Sequence, residues 1–188
     1  MPSTRWMTLI RAGTTALVAA IMLLASSALS SAQNASLENA IKATYLYKFA
    51  PFIVWPDSAF TVPESPINLC IVGSDPFGPL IDQAVAGQQI GSRAILVRRL
   101  RAVDRNTGCH IMYIGSSDPT AVVETINAVR GTSVLTVTDS ASNAAAKGII
   151  NFVVADNRVR FEINPNAASD NKLGISSKLL SLAVNARP

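Results

Sequence analysis

The stretch that decides the fold is GIINFVVADNRVRFEINPNAASDNKLGISSKLLSLA, residues 148–183. Within it, Ile149 to Val154 is an apolar, mostly β-branched run, and Arg158 to Ile163 alternates polar with apolar side chains. The pair Asp156-Asn157 stands between these runs, and both residue types tolerate positive φ. The pattern therefore predicts a β-hairpin near the C-terminus, with a half-exposed second strand.

The remainder of this stretch predicts two short helical segments. Asn164 supplies an N-cap and Pro165 a first-turn proline for the first of them, which we expect to end at Gly174. Ser176 is then expected to cap a last amphipathic turn. Because the stretch contains no catalytic motif, we predict that it closes a hydrophobic core.

Upstream, a unit made of an apolar strand, a glycine, a serine step and Asp-Pro occurs twice. It reads CIVGSDP at residues 70–76 and MYIGSSDP at residues 112–119. In each copy the aspartate is predicted to cap a helix that the proline begins. The helices that follow the two units are predicted at residues 79–86 and 120–130. Further strands are predicted at residues 94–98 and 133–138.

Strands that alternate with helices pair in parallel through right-handed crossovers. The element order therefore predicts a single three-layer, Rossmann-like α/β domain with a mostly parallel central sheet and a C-terminal antiparallel hairpin. In such sheets, ligands bind beyond the carboxyl ends of the strands. The residues predicted to form a ligand crevice there are Asp75, Ser116, Ser117, Asp118 and Asp139. The alternative interpretation is that the aspartates only cap helices.

The chain lacks the motifs of nucleotide-binding proteins and of α/β hydrolases. No GxGxxG follows the first strand, and neither a Walker loop nor a GxSxG elbow occurs. His110 is the only histidine, and its place at the start of an apolar strand favours a packed imidazole over a general base. We therefore predict no enzymatic activity, no catalytic residues, no cofactor and no metal site. An exported hydrolase is the weaker alternative.

The N-terminus has the pattern of a Sec-type signal peptide. Arg5 and Arg11 form a basic region, residues 12–24 are apolar, and small residues follow just before Gln33. We therefore predict that residues 1–32 are cleaved and that the protein is exported to the periplasm.

The predicted mature domain, residues 33–188, is long enough for one hydrophobic core. Two of the sixteen Lys and Arg residues and none of the twelve acidic residues lie in the signal segment, so the mature net charge is +2. This charge is a weak argument for nucleic acid, and no nucleic-acid partner is predicted.

Export also determines how the two cysteines are interpreted. In an oxidising compartment two cysteines most simply form a disulfide, whereas in the cytosol they would suggest thiols or a metal site. We therefore predict a bridge between Cys70 and Cys109. Both cysteines belong to predicted strands but lie at different distances from the strand ends, so the bridge requires a stagger or a bulge.

The order of these elements resembles the YfiR-like family of small bacterial periplasmic proteins. The resemblance rests on KATYLYKFAPFIVWP at 42–56, LCIVGSDPFG at 69–78, CHI at 109–111 and the closing stretch quoted above. One departure is Pro51, which we expect to disturb the last turn of the first helix. The resemblance implies a non-enzymatic periplasmic regulator. Such a regulator represses a membrane-bound diguanylate cyclase by binding its periplasmic portion, which lowers cyclic-di-GMP signalling and biofilm formation.

Two groups of side chains are candidates for contact with an inner-membrane signalling protein, either a diguanylate cyclase or a sensor kinase. Several arginines between residues 93 and 105 would suit an acidic surface, although charge runs usually face water. Aromatic residues near the first helix would suit either a core or an interface. The predicted interface residues are Arg98, Arg99, Arg101, Tyr47 and Trp55. A homodimer and a small-molecule-binding sensor or carrier module are further alternatives.

Overall fold

The computed structural model describes residues 33–139 and 143–184. The chain divides into two units, Met1–Glu38 and Asn39–Pro188. In the first unit, residues 33–38 are helical. The elements named below all belong to the second unit.

The helices of the second unit are α1 (residues 39–48), α2 (Pro79–Val85), α3 (Pro119–Ala128), α4 (Pro165–Asp170) and α5 (Ser177–Leu180). Short 3-10 turns cover Ala50–Phe52, Asp57–Ala59 and Ala144–Ala146. In the part of the chain that the structure describes, none of the helices combines the length and the apolar character needed to cross a membrane. The predicted signal peptide, residues 1–32, lies outside the described residues.

The strands are β1 (Ile53–Val54), β2 (Ile67–Gly73), β3 (Gln89–Ile90), β4 (Arg93–Leu100), β5 (Ile111–Gly115), β6 (Leu135–Asp139), β7 (Ile150–Ala155), β8 (Arg158–Ile163) and β9 (Gly174–Ile175). Seven of them form one sheet in the order β3-β4-β2-β5-β6-β7-β8. β4, β2, β5, β6 and β7 pair in parallel, while β3 and β8 add antiparallel edges. The structure therefore confirms a mixed α/β fold with a mostly parallel sheet. The three-layer, Rossmann-like description stays a prediction.

The two faces of this sheet bury separate hydrophobic clusters, because successive strand side chains point to opposite faces. Ile71 of β2 packs in one cluster with Phe49, which follows α1. Val72, its neighbour in β2, packs in the other cluster with Val122 of α3. All five residues of β5 are buried, which is typical of a central strand covered on both faces.

The local signals in the closing stretch are mostly confirmed. Asp156 and Asn157 both have positive φ, 51° and 59°, and they connect β7 to its antiparallel neighbour β8. The Asn164 side chain accepts a hydrogen bond from the backbone N–H of Ala167, which caps α4. The Ser176 hydroxyl accepts a hydrogen bond from the backbone N–H of Leu179, which caps α5.

One predicted helix boundary is wrong. The helix after Asn164 does not extend to Gly174, since α4 ends at Asp170. Gly174 instead lies in β9 and pairs with Val54 of β1, where an added Cβ would lie 3.2 Å from the Val54 Cβ. The predicted range 79–86 agrees with α2, which spans Pro79–Val85, although the Asp-Pro step at residues 75–76 precedes this helix and does not begin it.

The predicted disturbance at Pro51 is seen in the first helix. α1 ends at residue 48, and Pro51 lies in the 3-10 turn Ala50–Phe52. This turn leads directly into β1, so the proline coincides with the change from helix to strand.

Candidate functional site

The structure joins Cys70 and Cys109 in a disulfide, with Cα atoms 5.9 Å apart. Strand register places Met112, not Cys109, opposite Cys70. Cys109 precedes β5, and the predicted stagger arises because the chain has not yet entered the regular ladder at that point. Both cysteines are buried in the cluster beneath α3. The predicted disulfide is therefore confirmed.

The ring of His110 is buried beside this disulfide, just ahead of β5. Its Nδ1 accepts a hydrogen bond from the backbone N–H of Asn68 at 3.0 Å, and its Nε2 lies 3.0 Å from the carbonyl oxygen of Ala59. These contacts suit a neutral imidazole that donates through Nε2. Phe60 stacks on the ring at 4.6 Å. Burial lowers the pKa of His110, and the charge of Arg93 lowers it further against the opposing effect of the Ala59 bond.

Acidification is expected to destabilise the protein through His110. The folded-state pKa lies below the ordinary value of 6.5, so the unfolded chain binds a proton first as the pH falls. This contribution to stability is complete above pH 6.5 and is lost as the pH falls from there through the folded-state pKa. Urea unfolding at pH 7.5 and 5.5 should show a smaller acid-induced loss for His110→Gln than for the wild type. Equal losses would contradict this assignment.

At the carboxyl ends of β2 and β5, the two backbones lie close together. Gly73 and Gly115 are paired across the strands, and the Ser74 N–H donates to the carbonyl oxygen of Gly115 at 2.7 Å. Gly73 has φ of 81°, and a Cβ added to either glycine would strike the backbone of the opposite segment. Only glycine permits this approach, which brings together the two turns predicted to form the crevice.

Asp75 follows β2 but does not cap α2 as predicted. Its Oδ1 accepts hydrogen bonds from the N–H groups of Phe77 and Gly78, at 2.8 and 3.0 Å, and so fixes the loop before the helix. Its Oδ2 accepts from Nε of Arg99 at 2.7 Å, and the same guanidinium bonds to Asp82 of α2 at 2.7 Å. The hydrogen bond from Arg99 lowers the pKa of Asp82. The Asp75 carboxylate thus ties β4 to the loop and helix that follow β2.

Asp139, at the end of β6, pairs with a lysine that no local sequence pattern assigns to it. Its Oδ2 lies 2.6 Å from Nζ of Lys42 in α1, and the Lys42 side chain is only 3% exposed. Burial raises the pKa of Tyr113, and the charge of nearby Asp139 raises it further. One sequence signal was available, since Lys42 shares a helical face with Leu46 and Phe49 and both of these are buried.

The other predicted crevice residues, Ser116, Ser117 and Asp118, lie on an exposed turn. Asp118 caps α3 by accepting from the N–H of Thr120 at 2.9 Å, as predicted. The Ser116 hydroxyl accepts from the N–H of Asp118 at 3.1 Å. The structure therefore engages Asp75 and Asp139 in two separate ion pairs and uses Asp118 as a cap.

A cavity of about 160 Å³ lies at the amino ends of β5 and β6, the ends opposite to those that carry the turns described above. Its lining includes Cys109 and His110 on one side and Thr132 and Val134 on another. Arg105 also lines it, and its guanidinium donates to the carbonyl oxygen of Arg130 at 2.7 Å. Sequence reasoning missed this cavity because its residues come from segments that are distant in sequence.

The predicted interface arginines do not lie on one face. Arg98 and Arg99 are successive residues of β4 and therefore point to opposite faces of the sheet. Arg98 donates to the carbonyl oxygen of Thr107 at 2.8 Å, whereas Arg99 binds the two aspartates described above. Arg101 follows β4 and is exposed.

The two predicted interface aromatics are half-buried and pack against the cluster that contains α1. Trp55 donates through Nε1 to the carbonyl oxygen of Ser133 at 3.1 Å. Its ring contacts Phe60 and His110 edge-on. Tyr47 lies on α1. Much of each ring therefore contributes to packing, and the part that remains exposed is what a partner could contact.

Comparison with known proteins places this geometry in a family. Residues 39–184 match the YfiR/HmsC-like family, which is almost the whole of the second unit. A search of curated proteins finds no match. Because the family match covers far more than half of the sequence, the chain belongs to the YfiR/HmsC-like family.

Proposed function

We propose that this protein is a non-enzymatic periplasmic regulator that binds and restrains the periplasmic part of an inner-membrane diguanylate cyclase. The observation that carries the proposal is the family match over residues 39–184. Restraint of the cyclase would lower cyclic-di-GMP and therefore limit biofilm formation. A sensor kinase with a periplasmic domain is the other class of membrane partner that this arrangement suits.

The physical mechanism is a difference in affinity for two states of the partner. A regulator that binds the active and inactive cyclase equally does not change the ratio of the two states. Changing that ratio from 1:99 to 99:1 requires about 10⁴-fold tighter binding to the favoured state. Such selectivity needs a surface that keeps its shape. Two buried clusters, one on each face of the sheet, and the bridge between Cys70 and Cys109 supply a rigid support for it.

The side chains that most resemble chemical groups of a catalytic site are occupied by structural contacts. Both ring nitrogens of His110 lie within hydrogen-bond distance of backbone groups. Asp75 binds Arg99, and Asp139 binds Lys42. These contacts support a docking role over general acid–base chemistry, which requires a group free to reach a substrate proton.

A small-molecule sensor is a second candidate function, and the cavity before β5 and β6 favours it. Its volume of about 160 Å³ suits a ligand of only a few heavy atoms. Arg105 and Thr107 provide polar groups along its lining. Arg98 and Arg101 do not line this cavity, although Arg98 bonds to the carbonyl oxygen of Thr107, which does. Ligand binding and partner binding can therefore coexist in one protein.

Charge reversal tests the docking proposal. The variant Arg98→Glu with Arg101→Glu is expected to weaken binding at least tenfold, on the order of 1.4 kcal/mol, because an interface rim of the wrong sign opposes association. The matched control, Arg98→Lys with Arg101→Lys, keeps both charges and should bind nearly as well as the wild type. The readouts are pull-down of the periplasmic part of a candidate cyclase or sensor kinase from the same organism and the cellular level of cyclic-di-GMP.

Two further variants separate docking from catalysis. His110→Ala and Asp118→Ala should leave regulation intact in protein that is still folded, since His110 packs in the core and Asp118 caps α3. The cap is worth about 1 kcal/mol of stability. If the arginine reversal leaves binding and signalling unchanged while folded His110→Ala abolishes both, the docking surface is wrong and a catalytic role must be considered.

A further inference from the structure

The outer edge of β8 has backbone groups that point away from the sheet. In an antiparallel pair, residues alternate between those bonded to the opposite strand and those directed outward. Asn164 donates to the carbonyl oxygen of Ile149 at 2.8 Å, which fixes this alternation for the hairpin. Arg160 therefore bonds to β7, while Val159 and Phe161 direct their N–H and C=O groups outward.

Only part of this outer edge is occupied within the described residues. The N–H of Val184 donates to the carbonyl oxygen of Phe161 at 3.0 Å. Among residues 33–139 and 143–184, no hydrogen-bond partner is present for the N–H groups of Val159 and Phe161 or for the carbonyl of Val159. An extended segment that lies here can form those bonds and continue the sheet.

The charge at this edge is positive and is not balanced across the hairpin. The side chains of Arg158 and Arg160 are exposed on the same face of β8. Register places Ala155 opposite Arg158 and Val153 opposite Arg160, so neither arginine faces a carboxylate on β7. A strand that docks beside them would bring its own side chains within reach of both guanidinium groups.

The next residue on that face, Glu162, does not offset the two arginines because it pairs with Lys147 at 2.6 Å. On the opposite face, Val159 and Phe161 belong to the apolar cluster that contains α1. We infer that the outer edge of β8 binds an extended acidic segment of another protein, in which acidic and apolar residues alternate. A second copy of this chain fits poorly, since antiparallel pairing of two β8 edges brings arginines close to arginines.

Amide hydrogen exchange on the whole mature protein tests the open edge first. In the free protein, Val159 and Phe161 should exchange at least tenfold faster than Arg160, whose N–H bonds to β7. A capped heptapeptide of alternating Val and Glu should slow both exposed amides at least tenfold. The matching Val and Lys peptide should have no such effect. Equal protection of Val159 and Arg160 in the free protein, or equal protection by the two peptides, would overturn the inference.

Variants then test the contacts by fluorescence anisotropy of the labelled acidic peptide. Arg158→Glu with Arg160→Glu should weaken binding at least tenfold, while the corresponding lysine pair should retain most of it. Val159→Pro removes an outward N–H without breaking a bond to β7 and should also weaken binding at least tenfold, whereas Val159→Ala keeps that N–H and should bind. Unchanged peptide affinity in both disruptive variants would exclude binding of an acidic segment at this edge. Amide protection of Val159 and Phe161 that rises with protein concentration, with no peptide present, would also exclude it.

Discussion

Replacing both Cys70 and Cys109 by alanine is expected to lower the free energy of unfolding by about 4 kcal/mol. The bridge joins residues 39 apart in sequence, and the loop it closes restricts the unfolded chain. Both side chains are buried beside Val72 and Met112, so the native packing around the site should persist without the bond. Urea unfolding at neutral pH measures the loss directly.

Reduced wild-type protein provides the control for this variant. With a thiol reductant present throughout, its unfolding midpoint should fall to near that of the double alanine variant. Serine at both positions should cost more than alanine, because two hydroxyl groups would then be buried in an apolar cluster. A midpoint in the alanine variant equal to that of the oxidised wild type would exclude a structural disulfide.

Gly115→Ala is the second substitution with a large expected effect, a loss of about 3 kcal/mol or more. The added Cβ would strike the carbonyl oxygen of Ser74, which is backbone and cannot rotate away. Relief therefore requires β2 and β5 to separate at their carboxyl ends. That separation would disturb the two turns that carry Asp75 and Asp118, so thermal unfolding should show a markedly lower midpoint.

Gly87→Ala is the matched control for this substitution. Gly87 has φ of 69° but nothing lies within 4 Å of its added Cβ, so only the left-handed backbone opposes the change. That strain costs about 1 kcal/mol. If Gly115→Ala costs no more than Gly87→Ala, the close approach of β2 and β5 is incorrect.

The features that could be predicted from sequence are those set by neighbouring residues. The turn at Asp156 and Asn157 follows from two residue types that tolerate positive φ, and the structure gives both that conformation. The caps at Asn164 and Ser176 likewise depend on side chains that bond two or three residues ahead. The disulfide is predictable because the sequence has only two cysteines and is predicted to be exported.

The features that could not be predicted depend on residues distant in sequence. Asp75 looked like a helix cap, but Arg99 and the loop N–H groups hold its carboxylate instead. The sequence predicts Asp139 in a ligand crevice, whereas Lys42, 97 residues away in sequence, contacts its carboxylate directly. The helical face of Lys42 indicates that this side chain is buried, but no local pattern identifies the partner in either pair, since the sheet order decides which elements meet.

The arginines between 93 and 105 show the same limit. In the sequence they form one basic run. In the structure, the alternation of side chains along β4 and contacts with loops place them on different surfaces. Arg93 lies over the ring of Phe60 at 3.6 Å, and Arg105 bonds the carbonyl oxygen of Arg130. Of the predicted contacts, Arg99 and Arg101 are exposed, but Arg99 is engaged by Asp75 and Asp82. The docking surface therefore has to be mapped residue by residue, with lysine controls that preserve charge.

Reconstitution tests the central claim most directly. A candidate diguanylate cyclase with a periplasmic domain, from the same organism, is placed in nanodiscs. The protein without residues 1–32 is added, and the rate of cyclic-di-GMP synthesis is measured. We expect saturating protein to lower the rate at least tenfold, and the variant Arg98→Glu with Arg101→Glu to need at least tenfold more protein for the same effect. A rate that stays unchanged although the wild-type protein binds the cyclase would contradict the account, because binding that does not favour the inactive state cannot restrain the enzyme.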